Sequence, residues 1–273
     1  MESKHLVRNK SQRRTIHHSA SYHNNLITYR NPWVVAWWAA ALPGLGHFML
    51  CKFIMGMILF GWEIFVNVNG GLNQAIFYSF IGEFDQARDV LDPVWAIMYV
   101  GIYIFNIWDA YRRTVEMNKL YVLAYTENSP LAPFKITALE VNYLDKKHPS
   151  MAAIFSAISP GLGYIYVDRT PSAVYTIIWW IVIVYFSGFH TAILHTMIGN
   201  FALAIQTLDP QWFFFIPSIY LFSIYDSYSY TVELNKIFEK EQSNFLKKHY
   251  QQNPSKMLTT LKEKSPIDDP LRR

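Results

Sequence analysis

The chain has 273 residues, 52% of them apolar, 17% aromatic and only 16% charged, where a soluble domain carries about 25% charged residues. Of 24 Lys and Arg, 21 fall in three stretches (six in 1–32, six in 112–148, nine in 231–273), and the 39 residues from Thr170 to Leu208 hold no Asp, Glu, Lys or Arg. Such a run suits a bilayer and not a soluble core, so the reading is an all-α integral membrane protein. A single cysteine, Cys51, excludes an internal disulfide and a cysteine metal cluster. The net charge of +4 comes from polar stretches around apolar segments, which suits anionic lipid headgroups better than nucleic acid. The first 30 residues are polar and basic. A cleaved signal peptide is therefore not expected, and the first apolar segment serves as its own insertion signal.

The sequence repeats itself. PGLG stands at 43–46 and at 160–163, LDP at 91–93 and at 208–210, and TVE at 114–116 and at 231–233. Every pair is 117 positions apart, and from 43 to 119 the ungapped alignment has 28 identities in 77 positions, among them Trp62/Trp179, Gly82/Gly199, Trp95/Trp212 and Asp109/Asp226. Two tandem homologous repeats follow, at 31–120 and 148–237. A basic N-tail (1–30) precedes them, a polar linker (121–147) joins them, and a polar C-tail (238–273) follows.

In chain order, each copy starts with an apolar stretch containing PGLG, 33–50 and 149–167. A polar break comes next, Cys51-Lys52 and Asp168-Arg169, and then an apolar segment of 17 residues, 53–69 and 171–187. Each such segment is about 25 Å long as a helix, close to a hydrocarbon core of ~30 Å. The mixed segments 71–91 and 188–208 are expected as two short helices each, broken at Gly82 and Gly199, because the first carries Glu83, Asp85, Arg88 and Asp89. The last apolar helices, 94–108 and 211–225, start with Asp92 and Asp209 as caps and Pro93 and Pro210 at the first position. Pro217 should kink the second of them.

Two topologies fit. If each PGLG stretch is a half-helix, each copy has two spans and the N-tail, linker and C-tail share the cytoplasmic side with 21 of the 24 basic residues. The external segments 70–92 and 187–209 then carry Arg88 alone. If each PGLG stretch spans, there are six spans, the copies are inverted, and the linker's six basic residues lie outside. The positive-inside rule favours the first.

The candidate site residues are few. Pro43, Gly44 and Gly46, with Pro160, Gly161 and Gly163, make either a packing elbow or a half-helix whose backbone binds an ion or headgroup. Asp109 and Asp226 end the last spans, where a carboxylate needs a partner. Lys52 and Arg169, the basic residues after PGLG, could pair with them in both copies, and Arg112 and Arg113 are close enough to serve Asp109 alone. Glu63 lies inside a predicted span and faces Trp180 in the alignment, so any role belongs to copy one. His190 and His195 are five apart, a poor spacing for joint metal ligation. No metal or cofactor is expected, and there is no P-loop, dinucleotide fingerprint, nucleophile elbow or HExxH motif.

The PGLG-x-x-Y form at 160–166 and WDAYRR at 108–113 resemble the TM2-domain group of small bacterial multi-pass membrane proteins. That group has a proline-glycine turn, a span, and a second span ending in an aspartate motif. The resemblance covers both repeats and implies a bacterial cell membrane. The external segments of about 20 residues and the duplication depart from the group's pattern.

The expected function is a non-enzymatic scaffold or accessory subunit that binds a membrane partner, a second copy or lipid. The alternatives are a small transporter or permease subunit with its pathway between the repeats, and a membrane enzyme acting on lipid. Single cysteines at Ser11 and Ser129 in a Cys51→Ser background test the topology. Labelling from the same side is expected, and labelling from opposite sides establishes six spans.

Overall fold

The computed structural model describes residues 17–19, 24–127, 134–136 and 141–250. The rest of the basic N-tail, the middle of the linker with Ser129, and the C-tail beyond 250 lie outside the described residues. Two short antiparallel hairpins stand ahead of the helices: β1 (His17–Ser19) with β2 (Asn24–Leu26), and β3 (Phe134–Ile136) with β4 (Val141–Tyr143). They fall inside the tail and linker stretches and are again 117 positions apart.

The first half then runs through α1 (Pro32–Ala41), α2 (Leu45–Met49), α3 (Phe53–Gly70), α4 (Leu72–Phe80), α5 (Phe84–Val90) and α6 (Pro93–Thr126). The second runs through α7 (Pro149–Ile158), α8 (Leu162–Tyr166), α9 (Thr170–Phe186), α10 (Phe189–Met197), α11 (Phe201–Gln206), α12 (Pro210–Phe213) and α13 (Phe215–Tyr250).

Local chemistry explains the breaks. Asn31 accepts from the Trp33 amide ahead of α1, and Pro32 takes the first helical position. Asp92 accepts from the amides of Val94 and Trp95, and Asp209 from those of Gln211 and Trp212, as expected of caps. Gly82 and Gly199 have positive φ and divide the mixed segments into α4/α5 and α10/α11. Pro217 has no N–H for the carbonyl of Phe213, and the helix breaks at Phe214, between α12 and α13.

The PGLG stretch reverses the chain. Gly44 (φ 94°) and Gly161 (φ 101°) are left-handed, and the short helix after each lies back along the helix before it. A Cβ on Gly46 would sit 2.6 Å from the Val35 carbonyl oxygen, and one on Gly163 would sit 2.3 Å from that of Ala152. Each short helix ends in a 6→1 closure. The Lys52 amide donates to the His47 carbonyl at 2.9 Å and the Arg169 amide to that of Tyr164 at 2.9 Å, with Cys51 and Asp168 in the left-handed conformation. In the second half the two ends of the stretch touch. Lys147, ahead of α7, donates to the Tyr166 carbonyl at 2.8 Å and pairs with Asp168, beyond α8. Both ends of the PGLG stretch therefore lie at one level of the molecule.

Other contacts recur at the same offset. Asn118 exchanges two hydrogen bonds with the backbone of Arg30, and Asn235 exchanges the same two with Lys147. Tyr103 donates to the Ala40 carbonyl at 2.8 Å, and Tyr220 donates to that of Ala157 at 2.7 Å.

The core joins the halves through aromatic rings. Phe60 meets Trp179 at 5.1 Å and Tyr175 at 5.7 Å, and Trp38 meets Phe222 at 5.3 Å. The outer faces stay apolar and uncovered: Ile54 is 77% exposed on α3, Ile97 76% on α6 and Ile181 61% on α9. By length and composition α3 and α6 are long and apolar enough to cross a membrane, with a third span if α9 and α10, bent by 64°, count as one.

Substitution of the reversal glycines separates strain from packing. Gly44→Ala places Cβ 2.4 Å from the Gly56 carbonyl oxygen on a left-handed backbone. It should lower stability by more than the ~1–3 kcal/mol of backbone strain alone. Gly101→Ala, with open space around it, should leave the thermal unfolding midpoint in detergent unchanged or raise it.

Candidate functional site

Three buried carboxylates organise the interior. Asp226, on α13, is fully buried and takes Arg169 at 2.7 Å. Arg169 is itself 1% exposed, and its guanidinium lies over the rings of Tyr230 (4.4 Å) and Tyr164 (5.0 Å). Arg30, just ahead of α1, reaches the other oxygen of Asp226 at 4.0 Å and donates to Ser229 at 3.0 Å. Arg169 also points at the Phe48 carbonyl at 3.4 Å, near the end of α2. This cluster ties the first half to the second.

Asp109, the aligned residue on α6, is paired differently. It takes Arg112 at 2.7 Å, Arg113 at 2.5 Å and His47 at 3.1 Å. Lys52, expected to serve it as Arg169 serves Asp226, is exposed. The reason lies one helical turn along. Arg112 and Arg113 reach Asp109 from its own helix, whereas Ser229 and Tyr230 hold those places beside Asp226. His47 and Tyr164 occupy matching places three residues after Gly44 and Gly161, and both side chains lie against the carboxylate of their own half.

The PGLG residues form the elbow and touch the rest of the site through backbone. The Gly44 amide donates to Asn106 at 3.2 Å, and the Asn106 amide donates back to the Ala39 carbonyl at 2.7 Å. Ser223 holds the Asn106 position in the second half and bonds within its own helix. The glycines thus act in close packing, and Asn106 closes the turn.

Glu63 lies on α3 with 3% exposure. Its Oε1 accepts from Asn67 at 2.9 Å, while Oε2 is buried without a protein hydrogen bond of normal geometry, with the Tyr99 side chain beside it. Asn67 is locked in turn. It donates to Asn73 at 3.1 Å, accepts from the Asn73 amide at 3.0 Å and accepts from Gln211 at 2.7 Å. Gln211 also accepts from the Gln74 amide at 3.0 Å, and its own carbonyl accepts from Asn73 at 2.9 Å. This amide chain links α3 and α4 to α12 across the two halves. It borders a cavity of about 620 Å³ that Glu63, Asn67, Asn73, Tyr99 and Tyr103 share with apolar side chains.

Sequence reasoning singled out Glu63 and missed Asn73, Gln211 and Tyr99. The Glu63–Asn67 spacing of one helical turn was a signal, and Gln211 against Val94 in the repeat was another. His190 contacts the Val184 carbonyl at 3.2 Å, away from His47. Among the described residues no three His, Cys, Asp or Glu side chains converge as a metal set. No family model, curated protein or solved structure matches the chain.

The two aspartate clusters should respond unequally to neutralisation. Asp226→Asn leaves Arg169 buried without its counter-charge and should lower stability by about 3–5 kcal/mol. Asp109→Asn should cost less, because Arg112 and Arg113 are 39% and 31% exposed and can turn to water. Combining Arg169→Met with Asp226→Leu should recover most of the loss, read as thermal midpoints in detergent.

Proposed function

We propose that the chain is a non-enzymatic multi-pass protein of a bacterial cell membrane, built from two homologous copies, that binds lipid or a membrane partner. The observation that carries this reading is the apolar outer surface of α3, α6 and α9, with Ile54, Ile97 and Ile181 more than half exposed. A water-soluble monomer rarely leaves so continuous an apolar face uncovered. The buried aspartates Asp109 and Asp226 each meet a guanidinium of the same chain.

Four spans accommodate the geometry: α3, α6, α9, and α12 with the first half of α13. The α1/α2 and α7/α8 pairs are re-entrant hairpins. Support comes from the Lys147–Asp168 pair, which closes the second PGLG stretch on itself. A spanning helix would hold those two ends about 30 Å apart. Backbone that turns inside a membrane must be covered by protein, and the Asn106 contacts with Gly44 and Ala39 supply that cover in the first half. The N-tail, linker and C-tail then share the cytoplasmic side, and the TM2-like motifs fall at the reversal and midway along α6.

No cofactor enters this reading. The Asp–Arg clusters hold helices together and leave no acid–base pair facing a substrate. Purified protein reconstituted into liposomes should retain bound lipid through delipidating washes and should not move solutes across the bilayer. Solute movement by the protein alone would replace this reading with a transporter whose pathway runs between the copies.

A further inference from the structure

We infer that the cavity beside Glu63 is a binding site for a protonated amine carrying an apolar tail, one per chain. The inference rests on the membrane reading above and goes beyond it by naming the chemistry of the ligand.

Four observations converge on this site. The first is size: about 620 Å³ falls within the roughly 300–1,000 Å³ of small-molecule pockets. The second is the lining. Leu42, Ile76, Leu91 and Phe215 give apolar walls, and no Lys, Arg or His is among the described residues that line the cavity. The third is Glu63 itself. It is more than nine-tenths buried and lines the cavity, and among the described residues its Oε2 has no cationic partner and only the Tyr99 side chain beside it. An ammonium group there supplies both a donor and a counter-charge, which a carboxylate removed from water requires. The fourth is preorganisation. Asn67, Asn73 and Gln211 fix the Oε1 side through mutual hydrogen bonds, so the carboxyl does not have to reorder on binding.

Aromatic groups complete the match. Tyr99 and Tyr103 stack at 5.2 Å and both line the cavity, offering ring faces or hydroxyls to a cation. An anionic amphiphile would meet the Glu63 carboxylate directly and is disfavoured. The second half has no equivalent, because Trp180 holds the aligned position. Binding should therefore saturate at one ligand per chain although the sequence is duplicated.

The test uses the full chain in lipid nanodiscs at pH 7, titrated calorimetrically with octylamine, octanol and octanoate against empty nanodiscs. Octylamine should bind at least ten-fold tighter than octanol, with a stoichiometry of one, and octanoate should not bind. Glu63→Gln should remove the preference for the amine while leaving octanol binding in place. Ala41→Trp, at an exposed position on the cavity wall remote in sequence from Glu63, should weaken both ligands and so tests the site even where Glu63→Gln does not fold. Equal binding of octanol and octylamine overturns the amine assignment, as does an amine preference that survives in Glu63→Gln. Absence of binding above empty nanodiscs overturns the site as a whole. The membrane reading is tested apart from it, by flotation of the protein with vesicles. A protein that floats but binds no amine leaves that reading standing and removes only the inference.

Discussion

The rest of the structure depends on a reversal of the chain at Pro43–Gly44 and again at Pro160–Gly161. Only a residue without Cβ fits where Gly44 meets the Gly56 carbonyl and where Gly46 meets that of Val35. The same reversal returns the chain to the level at which it entered, and so sets the start of α3 and α9. It also places Lys52 and Arg169 at matching positions, each the residue directly ahead of the next long helix, α3 or α9. In the second half that position delivers a guanidinium into the core. In the first it leaves a lysine in solvent.

That difference separates two halves whose residues match at an offset of 117. The buried aspartate is common to both, and so is the demand for a counter-charge in a medium that hydrates it poorly. The first half meets the demand locally, from Arg112 and Arg113 on the same helix. The second meets it at long range, through Arg169 and with Arg30 reaching across from the first half. The local solution leaves its own half self-contained, while the long-range one couples the halves. Asn106 and Ser223 diverge in the same way: the first closes its elbow across helices and the second bonds within its own helix.

The Glu63 region is a second difference between the halves. A carboxyl appears in the first half where the second keeps Trp180, and the amides needed to orient it come from α3, α4 and α12. Gln211 stands directly after the proline of the LDP motif, so the same cap that starts α12 also sets the position of this side chain. Residues of both halves line the cavity beside it, Tyr99 and Tyr103 from the first and Phe214, Phe215 and Ser218 from the second.

Much of this was legible in the sequence. The offset of 117 paired Asp92 with Asp209, Gly82 with Gly199 and PGLG with PGLG, and these features are local: a cap needs only the next amides, and a left-handed break needs only a glycine. The break before Pro217 follows from a missing N–H in the same way. What the sequence could not determine was which partner each aspartate takes, since Lys52 and Arg169 align but only one turns inward. Nor could it place Gln211 against Asn67, 144 positions away. Those outcomes were decided by tertiary structure, because a buried charge or amide takes whichever partner packing brings within about 3 Å, and packing is set by the whole interior and not by spacing along the chain.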